Sequence, residues 1–136
     1  MHTFNSKLKS KIKKQKNCLC VGLDISPENL GATDLDELKA HTYRVIDATR
    51  DFALAYKPNF AFFERWGFEG FKWLEETVDY IGPGYIKIAD AKRGDIDNTA
   101  RQYAKSIFEY FKFDAVTLNP YMGKDSIEPF MEFKEK

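Results

Sequence analysis

The sequence has little of what marks secreted, membrane-bound or nucleic-acid-binding proteins. It has only two cysteines in 136 residues, no apolar run long enough to span a bilayer, and no apolar secretory segment at its N-terminus. Its first arginine is Arg44, which argues against an arginine-rich mitochondrial presequence. The 21 basic residues balance 21 acidic ones, so no overall charge favours nucleic acid or an anionic membrane. We therefore expect a cytoplasmic protein with no nucleic-acid or membrane partner.

The two cysteines, Cys18 and Cys20, indicate a reducing compartment. They are two residues apart in an apolar run that is typical of a strand, where they cannot bridge each other. We expect both thiols to be buried. We also expect no metal site, because no second Cys or His pair accompanies them.

Apolar runs alternate with helical patterns along the chain. The runs predict strands at residues 18–25, 52–63, 85–89 and 113–118. Within these runs the apolar residues are mostly consecutive and do not alternate with polar ones, which is typical of parallel strands covered on both faces. Helical spacing predicts a helix in the first 17 residues and further helices at 35–50, at 68–81, from a cap at Asp97 or Asn98 onward, and at 125–136.

This alternation predicts an α/β fold with a parallel sheet. Polar side chains mark the C-terminal end of each strand, and in a β/α barrel that edge carries the active site. They are Asp24, Lys57, Asp90 with Lys92, and Asn119. A doubly wound sheet is the rival fold, but no glycine-rich phosphate turn follows the first strand. Since a whole barrel has eight units and about 250 residues, we expect the N-terminal portion of one barrel domain, with a leading helix in 1–17 and four β/α units in 18–136.

The most informative stretch runs from Asp90 to Asp95, with the sequence DAKRGD, directly after the third predicted strand. Residues two apart in a strand share a face, so Asp90 and Lys92 should project the same way. Gly94 permits a sharp turn, and Asp95 falls where the next helix begins. Charges this dense are costly to bury unless they pair. The stretch is therefore either a catalytic site or a structural ion network.

Together with Asp24 and Lys57, this stretch resembles the orotidine 5′-phosphate decarboxylase family, in its longer bacterial-type branch. The family's signature Asp-x-Lys-x-x-Asp follows the third barrel strand, and Asp90, Lys92 and Asp95 match it. The first, second and fourth strands of the family are similar to VGLD at 21–24, YKPN at 56–59 and TLNPYMG at 117–123.

The resemblance implies a TIM-type (β/α)8 barrel and a carboxy-lyase that needs no cofactor or metal. It converts orotidine 5′-phosphate into uridine monophosphate and CO2, in pyrimidine biosynthesis. In this reaction Lys92 would protonate C6 of the pyrimidine, Asp90 would lie near the departing carboxylate, and Lys57 would position Asp90. The alternation of Lys57, Asp90, Lys92 and Asp95 should keep every charge paired.

The resemblance also implies a homodimer with shared active sites. Asp24 would bind a ribose hydroxyl within its own subunit. Asp95 and Thr99, four apart at a helix start and hence on one face, would reach the ribose in the neighbouring subunit's site. The catalytic residues are thus expected to be Lys92, Asp90, Asp95 and Lys57, and the substrate-binding residues Asp24 and Thr99.

Two alternatives remain open. The first is a magnesium-dependent decarboxylase of the same barrel suprafamily, acting on a sugar-acid phosphate, with Glu64 as a possible metal ligand. The second is a non-catalytic half barrel that binds a partner through its open edges.

Because phosphate in β/α barrels binds after the seventh and eighth strands, we expect the 136-residue chain to be weakly active or inactive by itself.

Overall fold

A computed structural model describes residues 3–31 and 34–136 of the chain. Its strands form one sheet in the order β1-β2-β3-β4, and each neighbouring pair is parallel. The strands are β1 (Cys20–Leu23), β2 (Ala55–Pro58), β3 (Ile86–Arg93) and β4 (Ala115–Leu118). The predicted α/β fold with a parallel sheet is confirmed.

Helices connect the strands. They are α1 (Phe4–Gln15), α2 (Pro27–Leu30), α3 (Leu35–Thr49), α4 (Phe60–Glu64), α5 (Gly67–Ile81), α6 (Asp97–Lys105) and α7 (Glu128–Met131). A π-helical segment, Ser106–Tyr110, extends α6, and single 3-10 turns occupy Pro120–Met122 and Lys124–Ser126. Each helix of the described part of the chain is too short or too polar to cross a membrane.

The second predicted strand is wrong in its C-terminal half, because β2 ends at Pro58 and α4 begins at Phe60. Asn59 separates the two elements: its side-chain oxygen accepts a hydrogen bond from the backbone N–H of Ala61 at 3.2 Å and thereby caps the helix. Phe60 and Phe63 are both buried from this short helix. An apolar run of this length fits a strand or a helix, and the cap decides between them.

Two helix predictions also need correction. The helix after β3 begins at Asp97 itself, and Ile96 in extended conformation is its N-cap, so neither Asp97 nor Asn98 caps it. The predicted helix at 125–136 is limited to one short turn, α7, after a 3-10 turn. By contrast, Asp34 caps α3 through a 2.9 Å hydrogen bond to the N–H of Glu37.

The core lies between the sheet and the helices that follow β1, β2 and β3. The indole of Trp73 on α5 and the ring of Phe63 on α4 are both fully buried, with ring centroids 4.2 Å apart. Aromatic burial of this kind contributes much of the stabilising apolar area. It fixes the helices behind the sheet and leaves the carboxyl ends of the strands accessible.

The expectation that the thiols are buried is wrong, since Cys18 and Cys20 are both exposed. Cys18 precedes β1, and Cys20 is its first residue. Within the described residues β1 pairs with β2 on one side only. An edge strand leaves more of its side chains accessible than the central strands do.

Candidate active site

Three charged side chains meet at the carboxyl ends of β2 and β3. The ammonium of Lys57 donates to Oδ2 of Asp90 at 3.1 Å, and the ammonium of Lys92 donates to Oδ1 of the same carboxylate at 2.5 Å. The Asp90 side chain is only 7% exposed, whereas that of Lys92 is 68% exposed. The array therefore has a buried anion at its centre and an accessible cation at one end.

The strand that carries Asp90 and Lys92 is not regular. The register between β3 and β4 shifts between Ala89 and Arg93, and Lys92 adopts a left-handed backbone conformation with φ of 46°. Bulges of this kind redirect side chains next to active sites. The predicted projection of Asp90 and Lys92 to the same side is confirmed by their contact, within an irregular part of β3.

Electrostatics keep the carboxyl of Asp90 ionised. Burial alone would raise its pKa, but hydrogen bonds from Lys92, Thr117 and Lys57 outweigh burial and lower the pKa to about 2. The hydrogen bond to Asp90 in turn raises the pKa of Lys57. At neutral pH the array thus contains a fixed carboxylate and a protonated lysine.

Asp24 lies exposed after β1 and joins the array through Asn59. The side-chain amide of Asn59 donates to Oδ1 of Asp24 at 2.7 Å. The backbone of Asn59 also forms an isolated parallel bridge with Asp90. Sequence reasoning included Asn59 in a strand motif but did not recognise it as a link between Asp24 and the array.

Within the described residues, Asp95 and Thr99 form no hydrogen bond or ion pair with the other predicted site residues. Asp95 precedes α6, and its carboxylate accepts a 2.8 Å hydrogen bond from the N–H of Ile96. Within the described chain it forms no ion pair with Lys92, so the expected pairing of all four charges is wrong. Thr99 is half-buried in α6, while Asp95 is outside that helix, so the two do not share a helix face.

Thr117 on β4 is the contact that sequence reasoning missed. Its hydroxyl donates to Oδ1 of Asp90 at 2.9 Å and accepts from the backbone N–H groups of Ala91 and Lys92, both at 3.1 Å. The available signal was a hydroxyl residue within an apolar strand next to the charged one. That signal is weak, because threonine is common in strands.

Glu64, the candidate metal ligand of the magnesium alternative, is engaged elsewhere. Its carboxylate accepts a hydrogen bond from the guanidinium of Arg93. That guanidinium also lies over the rings of Phe60 and Tyr103, 5.3 and 5.0 Å from their centroids. This pairing competes with binding of a magnesium ion, which takes carboxylate oxygens and water as ligands.

The fold and the array define a protein built from parallel β/α units with a lysine–aspartate–lysine site at the carboxyl edge of its sheet. Residues 17–136 match the profile of the orotidine 5′-phosphate decarboxylase / HUMPS family. The chain belongs to this family.

Individual relatives agree with this assignment. Orotidine 5′-phosphate decarboxylase of Christiangramia forsetii is 45% identical over 97% of this chain and 51% of its own length, and that of Flavobacterium johnsoniae is 48% identical over 95% and 50%. The solved structure of Leishmania donovani OMP decarboxylase has a TM-score of 0.88 at 40% identity, covering 98% of this chain and 51% of that one. The chain thus spans about half the length of the curated relatives it matches. The structural neighbours are TIM barrels, so the β/α units described above correspond to part of such a barrel.

Proposed function

We propose that this chain carries the decarboxylation site of an orotidine 5′-phosphate decarboxylase, which converts orotidine 5′-phosphate into uridine monophosphate and CO2. The observation that carries the proposal is the contact of Lys57, Asp90 and Lys92 at the carboxyl ends of two adjacent strands. The names of the relatives support the choice of substrate. Residues 1–136 would then be the N-terminal portion of one barrel domain.

The array suits the charge that develops in this reaction. Breaking the bond between C6 and the carboxylate leaves an electron pair on C6, in the plane of the ring, where the π system cannot accept it. A cation fixed beside that carbon stabilises the developing charge. Lys92 is accessible and held by Asp90, and transfer of its proton to C6 completes the reaction without a cofactor.

Asp90 contributes by facing the substrate carboxylate. Two unit charges about 4 Å apart interact by roughly 4 kcal/mol at an effective dielectric constant near 20. The repulsion disappears as CO2 leaves, so it destabilises the bound substrate relative to the transition state. Lys57 holds the Asp90 carboxylate through Oδ2, whereas Lys92 binds Oδ1.

The remaining site residues extend the proposal to substrate binding and assembly. Asp24, exposed at the same edge of the sheet, would bind a ribose hydroxyl. Two copies of the protein would form a homodimer in which Asp95 and Thr99 serve the neighbouring copy's site. Within the described residues, neither side chain forms a hydrogen bond or ion pair with Lys57, Asp90 or Lys92. A cytoplasmic location stays a prediction.

The test uses a fusion protein that joins residues 1–136 to the second half of the Christiangramia forsetii relative. Its activity is measured as the loss of absorbance of orotidine 5′-phosphate. We expect turnover in the fusion and much slower turnover in the 136-residue chain by itself. Lys92→Ala should lower kcat of the fusion by about 10³-fold or more. Lys72→Ala, which changes an exposed lysine on α5, should leave kcat unchanged.

Each other outcome separates the hypotheses. Full activity in Lys92→Ala would refute the assignment of Lys92 as proton donor. A folded fusion that ignores orotidine 5′-phosphate, but decarboxylates a sugar-acid phosphate only when magnesium is added after EDTA treatment, would establish the alternative reaction. A folded fusion that self-associates without turning over either substrate would favour the second alternative, a non-catalytic half barrel that binds a partner.

A further inference from the structure

The bulge in β3 leaves backbone groups that one side chain of the next strand satisfies. Ala89 pairs with Val116 and Arg93 pairs with Leu118, so three residues of β3 (90, 91 and 92) face the single residue Thr117 of β4. Backbone N–H groups that a bulge leaves without a partner in the strand ladder need other hydrogen-bond acceptors. The Thr117 hydroxyl accepts from two of them, those of Ala91 and Lys92.

These two bonds determine where the hydroxyl proton goes. With its oxygen accepting from both backbone N–H groups, the Thr117 hydroxyl directs its own hydrogen toward Oδ1 of Asp90, at 2.9 Å. The same carboxylate oxygen accepts from the ammonium of Lys92. One hydroxyl therefore contacts the backbone of Lys92 and the carboxylate that orients its side chain.

We propose that Thr117 is a positioning residue for the decarboxylation site. Its hydroxyl holds the left-handed backbone of Lys92 and the carboxylate of Asp90 in fixed positions relative to each other. This inference rests on the proposed function for its catalytic consequence. A non-glycine residue in the left-handed region is disfavoured, so the conformation of Lys92, with φ of 46°, needs such a partner. The hydroxyl, and not the bulk of the side chain, supplies it.

The test compares Thr117→Val, which keeps the β-branched shape without the hydroxyl, with Thr117→Ser, which keeps the hydroxyl. In the 136-residue chain, carboxyl ¹³C NMR reads the Asp90 pKa and amide exchange reads Ala91 and Lys92. For Thr117→Val we expect the pKa of Asp90 to rise by about 1 and both amides to exchange roughly 10-fold faster or more. Thr117→Ser should restore both values.

In the active fusion, Thr117→Val should lower kcat by about 10-fold while KM changes less than about 2-fold. Recovery in Thr117→Ser would support positioning through the hydroxyl. An unchanged Asp90 pKa with unchanged amide exchange in Thr117→Val would overturn the inference, whatever the activity. The NMR measurements need no turnover. A fusion that fails to decarboxylate therefore refutes the proposed function, while the NMR measurements still decide whether Thr117 positions Asp90 and Lys92.

Discussion

Replacing Asp90 by asparagine should remove a measurable, pH-dependent part of the stability. The folded-state pKa of this carboxyl is about 2, below the ordinary value of 3.8. A difference of that size contributes about 2 kcal/mol to the free energy of unfolding at neutral pH. Because the folded-state pKa is the lower one, this contribution is present above pH 3.8 and is lost as the pH falls toward 2.

The burial of Asp90 sets the loss of stability that we expect in Asp90→Asn at each pH. Asp90 is 7% exposed, so solvent screens its contacts little. At pH 7, Asp90→Asn should lower the free energy of unfolding by about 2 kcal/mol, or roughly 1 M in the urea midpoint. By pH 3 about half of the difference between wild type and variant should have disappeared.

Urea unfolding followed by fluorescence of the buried Trp73 measures both quantities between pH 7 and pH 3. Asp51→Asn is the matched control, since it removes the same charge from an exposed position. The control should follow wild type over the whole range. If Asp90→Asn lost stability with falling pH as steeply as wild type does, the pKa assigned to Asp90 would be refuted.

Two further variants test the elements that surround the array. A Cβ at Gly94 would lie 2.7 Å from the backbone oxygen of Asn119, so Gly94→Ala should destabilise the fold by about 1–3 kcal/mol, and an unchanged urea midpoint would contradict this close approach. Glu64→Gln removes the ion pair with Arg93 and should cost about 1 kcal/mol in the same assay. Equal stability of Glu64→Gln and wild type would show that this pair contributes nothing.

The sequence was sufficient for the alternation of four strands with longer helices, because continuous apolar runs and helical spacing are local signals. It did not predict the short helices α2 and α4. The sequence also predicted the contact between Asp90 and Lys92, since a long lysine side chain two residues away reaches a carboxylate on the same face. The boundary at Asn59 was harder to predict. The apolar run continues on both sides of Asn59, and the cap that its side chain forms begins the helix beyond it.

The contacts of Thr117 and Asp95 could not be predicted from local sequence patterns, for different reasons. The role of Thr117 depends on a register shift between β3 and β4, and no spacing within either strand encodes that shift. Asp95 was expected to pair with Lys92 because the charges alternate in sequence. The turn at Gly94 instead carries its carboxylate to the N–H of Ile96.

The arrangement of charges explains why a buried carboxylate is useful next to a reactive lysine. Under the proposed reaction, a substrate carboxylate that approaches Lys92 also approaches Asp90. A carboxyl with an ordinary environment could relieve the repulsion by taking up a proton or by rotating away. Asp90 can do neither easily, because its pKa is held near 2 and Lys57 and Thr117 bind its two oxygens. The repulsion therefore persists until CO2 leaves, while Lys92, the most exposed of the three charges, is held by Asp90 where a substrate can reach it.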